Sequence, residues 1–78
     1  AALAMNDKDP ILFNNRGKAK ANTKDLKNAL SDFDKAIALK TDYDKAIENR
    51  AFTHYDLQNW KEASADFDKL IAVGKAET

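Results

Sequence analysis

Cysteine is absent from this 78-residue chain. Disulfides, thiolate nucleophiles and thiolate metal sites are therefore excluded, and redox chemistry does not reveal the compartment. Net charge is absent too, with 13 basic residues against 13 acidic ones. A dedicated nucleic-acid binder draws its affinity largely from an excess of Lys and Arg on phosphates, so that class is not expected. No apolar run approaches the roughly 20 residues needed to cross a bilayer. A soluble protein is expected, with the cytoplasm favoured and no membrane or nucleic-acid partner. The opening Ala1–Met5 stretch lacks the length and basic leader of a secretory signal. The chain does not begin with Met, so processing or truncation is expected.

What remains is 44 % hydrophobic and 33 % charged, an ordinary globular balance. A chain this short buries only about 60 % of the surface its unfolded form exposes, so the core must be thin.

That core is written twice. With residues 10–40 laid over 44–74, ten of 31 pairs are identical, against about two by chance, the mark of a 34-residue repeat. They are Asn15/Asn49, Arg16/Arg50, Lys27/Lys61, Ala29/Ala63, Asp32/Asp66, Phe33/Phe67, Asp34/Asp68, Lys35/Lys69, Ile37/Ile71 and Ala38/Ala72. Similar residues fall between them: Phe13/Ile47, Gly17/Ala51, Leu26/Trp60 and Leu39/Val73.

Each copy predicts two helices. Asp9 caps a first helix opened by Pro10 and running to about Asn22, with Phe13, Gly17 and Ala21 on one face. Thr23-Lys24-Asp25 breaks it, and Asp25 caps a second helix from Leu26 to about Lys40. There Leu26, Ala29, Leu30, Phe33, Ala36, Ile37 and Leu39 form an apolar stripe. In the second copy Asp42 caps a helix over 43–57. Asn59 opens a capping box with Glu62, and helix 60–73 stops at Gly74. Small residues (Gly17/Ala51, Ala29/Ala63) let backbones approach while Phe33/Phe67 and Phe13/Ile47 fill the space beside them. Residues 1–8 predict the tail of a preceding repeat, ahead of repeats over 10–43 and 44–77 in one domain. A segment of a longer array, or a short protein capping its first hairpin with a half helix, is expected.

These residues resemble the tetratricopeptide repeat family. The early bulky residue is Phe13 or Ile47, the small residue four later Gly17 or Ala51, and the bulky residue opening the second helix Leu26 or Trp60. The alanine is Ala29 or Ala63, the following aromatic Phe33 or Phe67, the closing small residue Ala36. Departures are Lys20 and His54 for a late aromatic, Leu70 for a small residue, Thr41 and Lys75 for an inter-repeat proline, and Arg16 and Arg50 at a usually aliphatic place. The resemblance implies an all-α, right-handed solenoid of two antiparallel hairpins plus an N-terminal half helix.

It also implies a concave groove lined by the first helices: Ile11, Asn14, Asn15, Lys18, Ala21 and Asn22, then Lys45, Glu48, Asn49, Phe52, Tyr55 and Asp56. Within this lining, Asn14, Lys18, Asn22, Lys45, Asn49, Phe52 and Tyr55 are the candidate peptide-binding residues. Phe52 and Tyr55 are aromatic anchors, unless Phe52 packs on a neighbouring first helix or a third repeat. Relatives that hold the C-terminal carboxylate of heat-shock chaperones use Lys and Asn from three successive repeats. Here Asn49 matches, Asn14 and Lys18 are swapped, and a third repeat would supply two of the cations, so such a clamp is not expected.

Arg16 and Arg50 recur with Asp32 and Asp66, which predicts an Arg–Asp pair between the helices of each hairpin; the competing reading is an arginine gripping a ligand carboxylate. The Asp-x-Asp pairs (Asp32/Asp34, Asp42/Asp44, Asp66/Asp68) lack the glycine and distal glutamate of a calcium loop and read as solvated faces and caps. His54, the single histidine, reads as a packing residue, with no nucleophile brought to it by helical spacing. No enzyme activity, cofactor or metal is expected. Residues 16–27 carry five basic side chains against Asp25, whereas 42–58 leans acidic, an asymmetry that would steer an acidic partner. The expected function is protein–protein interaction through the groove. The alternative is an assembly module that self-associates through an open end around Leu57, Leu70, Ile71 and Val73.

Overall fold

The computed structural model describes residues 9–77, with side chains through 72. Four helices and no strand occupy these residues: α1 (Pro10–Asn22), α2 (Leu26–Leu39), α3 (Asp44–Asp56) and α4 (Trp60–Glu77). α1 packs on α2 and α3 on α4, while α2 and, over a smaller area, α1 pack on α3. The predicted tail of a preceding repeat, residues 1–8, lies outside the described residues. No helix is long and apolar enough to cross a membrane among the described residues.

The start of α1 follows its sequence signals: Asp9 Oδ1 accepts from the Ile11 N–H at 2.9 Å, and Pro10 takes the first helical position. The ends of α1 and α3 share a geometry that the sequence did not announce. The Lys24 N–H donates to the Ala21 carbonyl and the Asp25 N–H to the Lys20 carbonyl. One period later Gln58 donates to Tyr55 and Asn59 to His54. This paired pattern is a Schellman cap, whose turning residue adopts left-handed backbone and is usually glycine. Here Lys24 (φ 69°) and Gln58 (φ 65°) hold it instead.

Four local expectations are corrected. Asp42 does not cap α3: Tyr43 holds the cap position without a side-chain bond, and the helix begins at Asp44. Asp25 stands at the cap of α2, but its carboxylate accepts from the Asn28 amide at 2.9 and 3.0 Å rather than from backbone. The Asn59–Glu62 box is not made, because the Asn59 N–H is already committed to the His54 carbonyl. α4 passes through Gly74 to Glu77. One glycine costs a helix only about 1 kcal/mol, and Lys75, Ala76 and Glu77 favour its continuation.

The core sits where the small residues are. Ala29, Phe33, Ala36, Ala46, Ile47, Ala51 and Ala63 are buried, the Phe33 ring alone contributing roughly 1.5–3 kcal/mol. On α1 the buried residues are Asn14 and Gly17, whereas Phe13 and Ala21 are half-buried. The predicted face was thus rotated: a polar residue replaces two apolar ones at its centre. On α2, Ala29, Phe33 and Ala36 are buried, but Leu39 is exposed. Ala29 and Ala63 are both buried, and the backbone N–H of each donates to the carbonyl of the residue four before, Asp25 and Asn59.

Candidate functional site

Two polar systems tie the helices together. Asp66, buried on α4, receives Arg50 of α3 side-on: Nε donates to Oδ2 at 2.8 Å and Nη2 to Oδ1 at 2.7 Å. The third edge of the same guanidinium, Nη1, donates to Asp34 of α2 at 3.0 Å. Arg50 therefore joins α4 and α2 through α3. Its pKa is raised, chiefly by the bond to Asp66, against an opposing effect of burial. In the first hairpin Arg16 Nη2 meets Asp32 Oδ1 at 3.3 Å, and Lys20 Nζ lies 3.0 Å from Oδ2. The lysine lacks hydrogen-bond geometry, leaving Oδ2 buried without a hydrogen-bond partner. The inter-helix Arg–Asp pair predicted for each hairpin is present, bidentate only in the second. Asp32 and Asp66 are consequently buried partners rather than solvated residues, while Asp34 and Asp68 are exposed.

The second system joins α1 to α3. Asn49 Nδ2 donates to Asn14 Oδ1 at 2.9 Å, and Asn14 Nδ2 donates to the Tyr43 hydroxyl at 3.4 Å. Asn14 is 5 % exposed. A buried amide of this kind must be satisfied, and here another amide satisfies it.

Beside this network α1 and α3 leave a groove of about 290 Å³. Lys18, Asn22 and Lys24 line it on one side, Asn49, Phe52 and Asp56 on the other, with the buried Phe33 also reaching its wall. Of the sequence-predicted binding residues, Lys18, Asn22, Asn49 and Phe52 thus come together. Asn14 lies behind them, held by Asn49. Lys45 and Tyr55 are elsewhere: Lys45 stands out in solvent 4.0 Å from Glu48, and Tyr55 packs edge-on against Trp60 with ring centroids 5.0 Å apart. Phe52 packs edge-on against Phe67 of its own hairpin at 5.4 Å yet stays 54 % exposed. Lys24 was missed as a lining residue, since its place depends on the left-handed turn. Both signs of charge face the groove, Lys18 and Lys24 against Asp56.

His54 is half-buried, with Nδ1 3.2 Å from the Asn59 amide nitrogen. It shares a hollow of about 260 Å³ with Arg50, Asp66, Glu62 and Lys69.

The chain is similar to short stretches of three proteins. It is 36 % identical over 71 residues to protein FlbA of Caulobacter vibrioides, covering 91 % of this chain and 12 % of that protein. It is 35 % identical over 71 residues to serine/threonine-protein phosphatase T of Aspergillus oryzae, covering 91 % and 15 %. With a DnaJ homolog subfamily C member 7 homolog of Schizosaccharomyces pombe it shares 33 % over 66 residues, covering 85 % and 14 %. The chain thus spans only a small fraction of the length of these relatives. No protein-family model and no solved structure matches it.

Proposed function

We propose that the chain is a tetratricopeptide-type protein-interaction module, which takes a peptide or partner segment in the groove between its first helices. The observation that carries this reading is the groove itself. Mostly polar side chains from α1, the turn after it and α3 converge on one opening beside the rings of Phe52 and Phe33, which pairs donors and acceptors for a peptide backbone with an apolar anchor. Asn22 and Asn49 offer donors and acceptors to a backbone, Lys18 and Lys24 attract a carboxylate, and Phe52 gives apolar contact. The repeat reading rests on pairs of equivalent contacts one period apart: Arg16–Asp32 with Arg50–Asp66 and the two Schellman caps. The comparisons support a module as well. One segment of about this length recurs in proteins named as a phosphatase, a DnaJ homolog and FlbA. On this reading the seven candidate residues divide: Lys18, Asn22, Asn49 and Phe52 contact the partner, Asn14 positions Asn49, and Lys45 and Tyr55 are peripheral. No catalytic step belongs to the reading, with Ser31 and Ser64 on α2 and α4 and His54 engaged by Asn59.

The test is site-specific photo-crosslinking to a bound protein. Probes at positions 18 and 22 are expected to capture one partner, which a probe at position 27 on α2 misses. Phe52→Ala together with Lys18→Glu is expected to abolish capture with an unchanged circular dichroism spectrum. Equal capture from position 27, or capture unaffected by the double variant, contradicts the groove assignment.

A further inference from the structure

The groove between α1 and α3 carries its charges in a fixed order. The two helices are one period apart in the chain, and the 2.9 Å bond from Asn49 to Asn14 holds them side by side near equal register. Lys18 therefore stands at the height of Phe52, and Asn22, followed by Lys24 on the turn, at the height of Asp56. Four residues of helix, about 6 Å, separate the two heights. Both charges of the α1 side are positive. On the α3 side the Thr53 hydroxyl is taken by the Asn49 carbonyl at 2.8 Å, and charge and apolar surface come from Asp56 and, one turn earlier, Phe52. The ion pairs among the described residues draw on Arg16, Lys20, Lys45 and Arg50, and none includes Lys18, Lys24 or Asp56. These three side chains are exposed, so opposite charges line one opening without neutralising each other. Two of them sit where stability alone would choose another residue. Lys24 holds left-handed backbone, and Asp56 is the last residue of α3, the helix end that disfavours a carboxylate.

We propose that the segment held in this groove presents an apolar, an acidic and a basic residue in succession, in either chain direction, rather than a run of acids. In an extended segment successive side chains point to opposite sides, and every second residue lies about 6.6 Å further on. That step matches the spacing of Phe52 and Asp56. Lying along the groove, such a segment sets its apolar side chain on Phe52 and its base beside Asp56, with the acid between them turned to Lys18 and Lys24. An all-acidic segment gains the lysines but is repelled by Asp56, so the opposed charges select as well as attract. The volume of about 290 Å³ is at the low end for ligand sites and suits a short stretch of this kind. The inference rests on the groove being the binding surface, and adds the charge order to it.

Peptide titrations of the isotope-labelled whole chain, followed by amide chemical shifts, test this order. The peptides are acetylated and amidated, so that no terminal charge contributes. Their cores are Phe-Glu-Lys and its reverse Lys-Glu-Phe, compared with Phe-Glu-Glu and Phe-Lys-Glu. At least one of the first two is expected to give saturable shifts at Lys18, Asn22, Lys24, Phe52 and Asp56. It is expected to bind about threefold to tenfold more tightly than either of the last two. Asp56→Lys is expected to reverse the preference in favour of Phe-Glu-Glu. Lys24→Gly is expected to bind the preferred core about twofold to fivefold more weakly although it melts higher, which separates lost binding from lost fold. Equal affinity for Phe-Glu-Glu overturns the inference. So do shifts centred outside the groove, no binding of either ordered core, or an unchanged preference in Asp56→Lys. Partner capture by probes at positions 18 and 22 does not depend on charge order. Capture there without preference among the peptides defeats the order and leaves the groove standing, whereas no capture and no saturable shifts defeat both.

Discussion

A Cβ placed on Gly17 would stand 2.6 Å from Cε1 of Phe33 and 2.8 Å from its Cδ1. Phe33 is 1 % exposed, so the ring cannot swing aside. Alanine in a helix interior gains about 1 kcal/mol over glycine, and overpacking a tight core loses about 1–3 kcal/mol. Gly17→Ala is expected to destabilise the fold by about 1–2 kcal/mol in urea unfolding, and Phe33→Leu in the same chain to recover part of that loss. The equivalent position carries Ala51, and Phe67 there is only half-buried, so Ala51→Gly gains nothing and loses helix propensity.

Arg50 should matter far more than Arg16. Removing it leaves the buried Asp66 carboxylate without its two charge-assisted donors. Arg50→Leu is expected to lower stability by about 2–4 kcal/mol, whereas Arg16→Leu, with one long contact on a half-exposed side chain, costs about 1 kcal/mol or less. Intact folding of Arg50→Leu with lost partner binding would instead make this arginine a ligand contact.

The pH dependence of the Arg50 contribution has a definite sign. Its folded pKa is raised above the unfolded value. Its stabilisation is therefore fully present below the unfolded guanidinium pKa and is lost only as pH rises through the folded one, far into alkali. The stability difference between wild type and Arg50→Leu is expected to stay level from about pH 6 to about pH 9. A steady fall across that window contradicts the assignment.

Lys24 and Gln58 hold left-handed backbone that costs a non-glycine residue about 1 kcal/mol or more. Lys24→Gly and Gln58→Gly are each expected to raise stability by about 0.5–1 kcal/mol, and to add when combined, since the two turns belong to separate hairpins. Thermal melts measure both.

Asn49→Ala leaves the buried Asn14 oxygen without its donor, at about 1–2 kcal/mol. The double variant Asn14→Leu, Asn49→Ala is expected to lose less than the two single changes together, because the stranded amide is gone. A fully additive result would mean that the two amides do not act on each other.

The periodicity carried most of the helix pattern. Identities 34 residues apart located four helices, and recurring small residues located the core, because backbone approach requires small side chains at fixed spacing. The Arg–Asp pairs were legible for the same reason: a charge recurring with its opposite at one offset points to contact. What stayed hidden depended on geometry that residue type does not encode. Lys24 and Gln58 gave no glycine to mark their turns. Asn14 looked like groove surface but is buried, since its partner Asn49 lies on another helix. Tyr55 lies nearly a full turn further along the helix than Phe52, where its ring packs against Trp60 instead of lining the groove. Gly74 looked like a stop, but a single glycine is a weak one when strong helix formers follow.

An experimentally determined structure, with residues 10–38 superposed on 44–72, bears most directly on whether the halves are the same hairpin. The expected result is that Ala29 and Ala63 coincide in buried positions, and that the Arg16–Asp32 and Arg50–Asp66 pairs bridge corresponding helices. Finding Ala63 in solvent, or Asp66 turned away from Arg50 while Asp32 keeps Arg16, would contradict it.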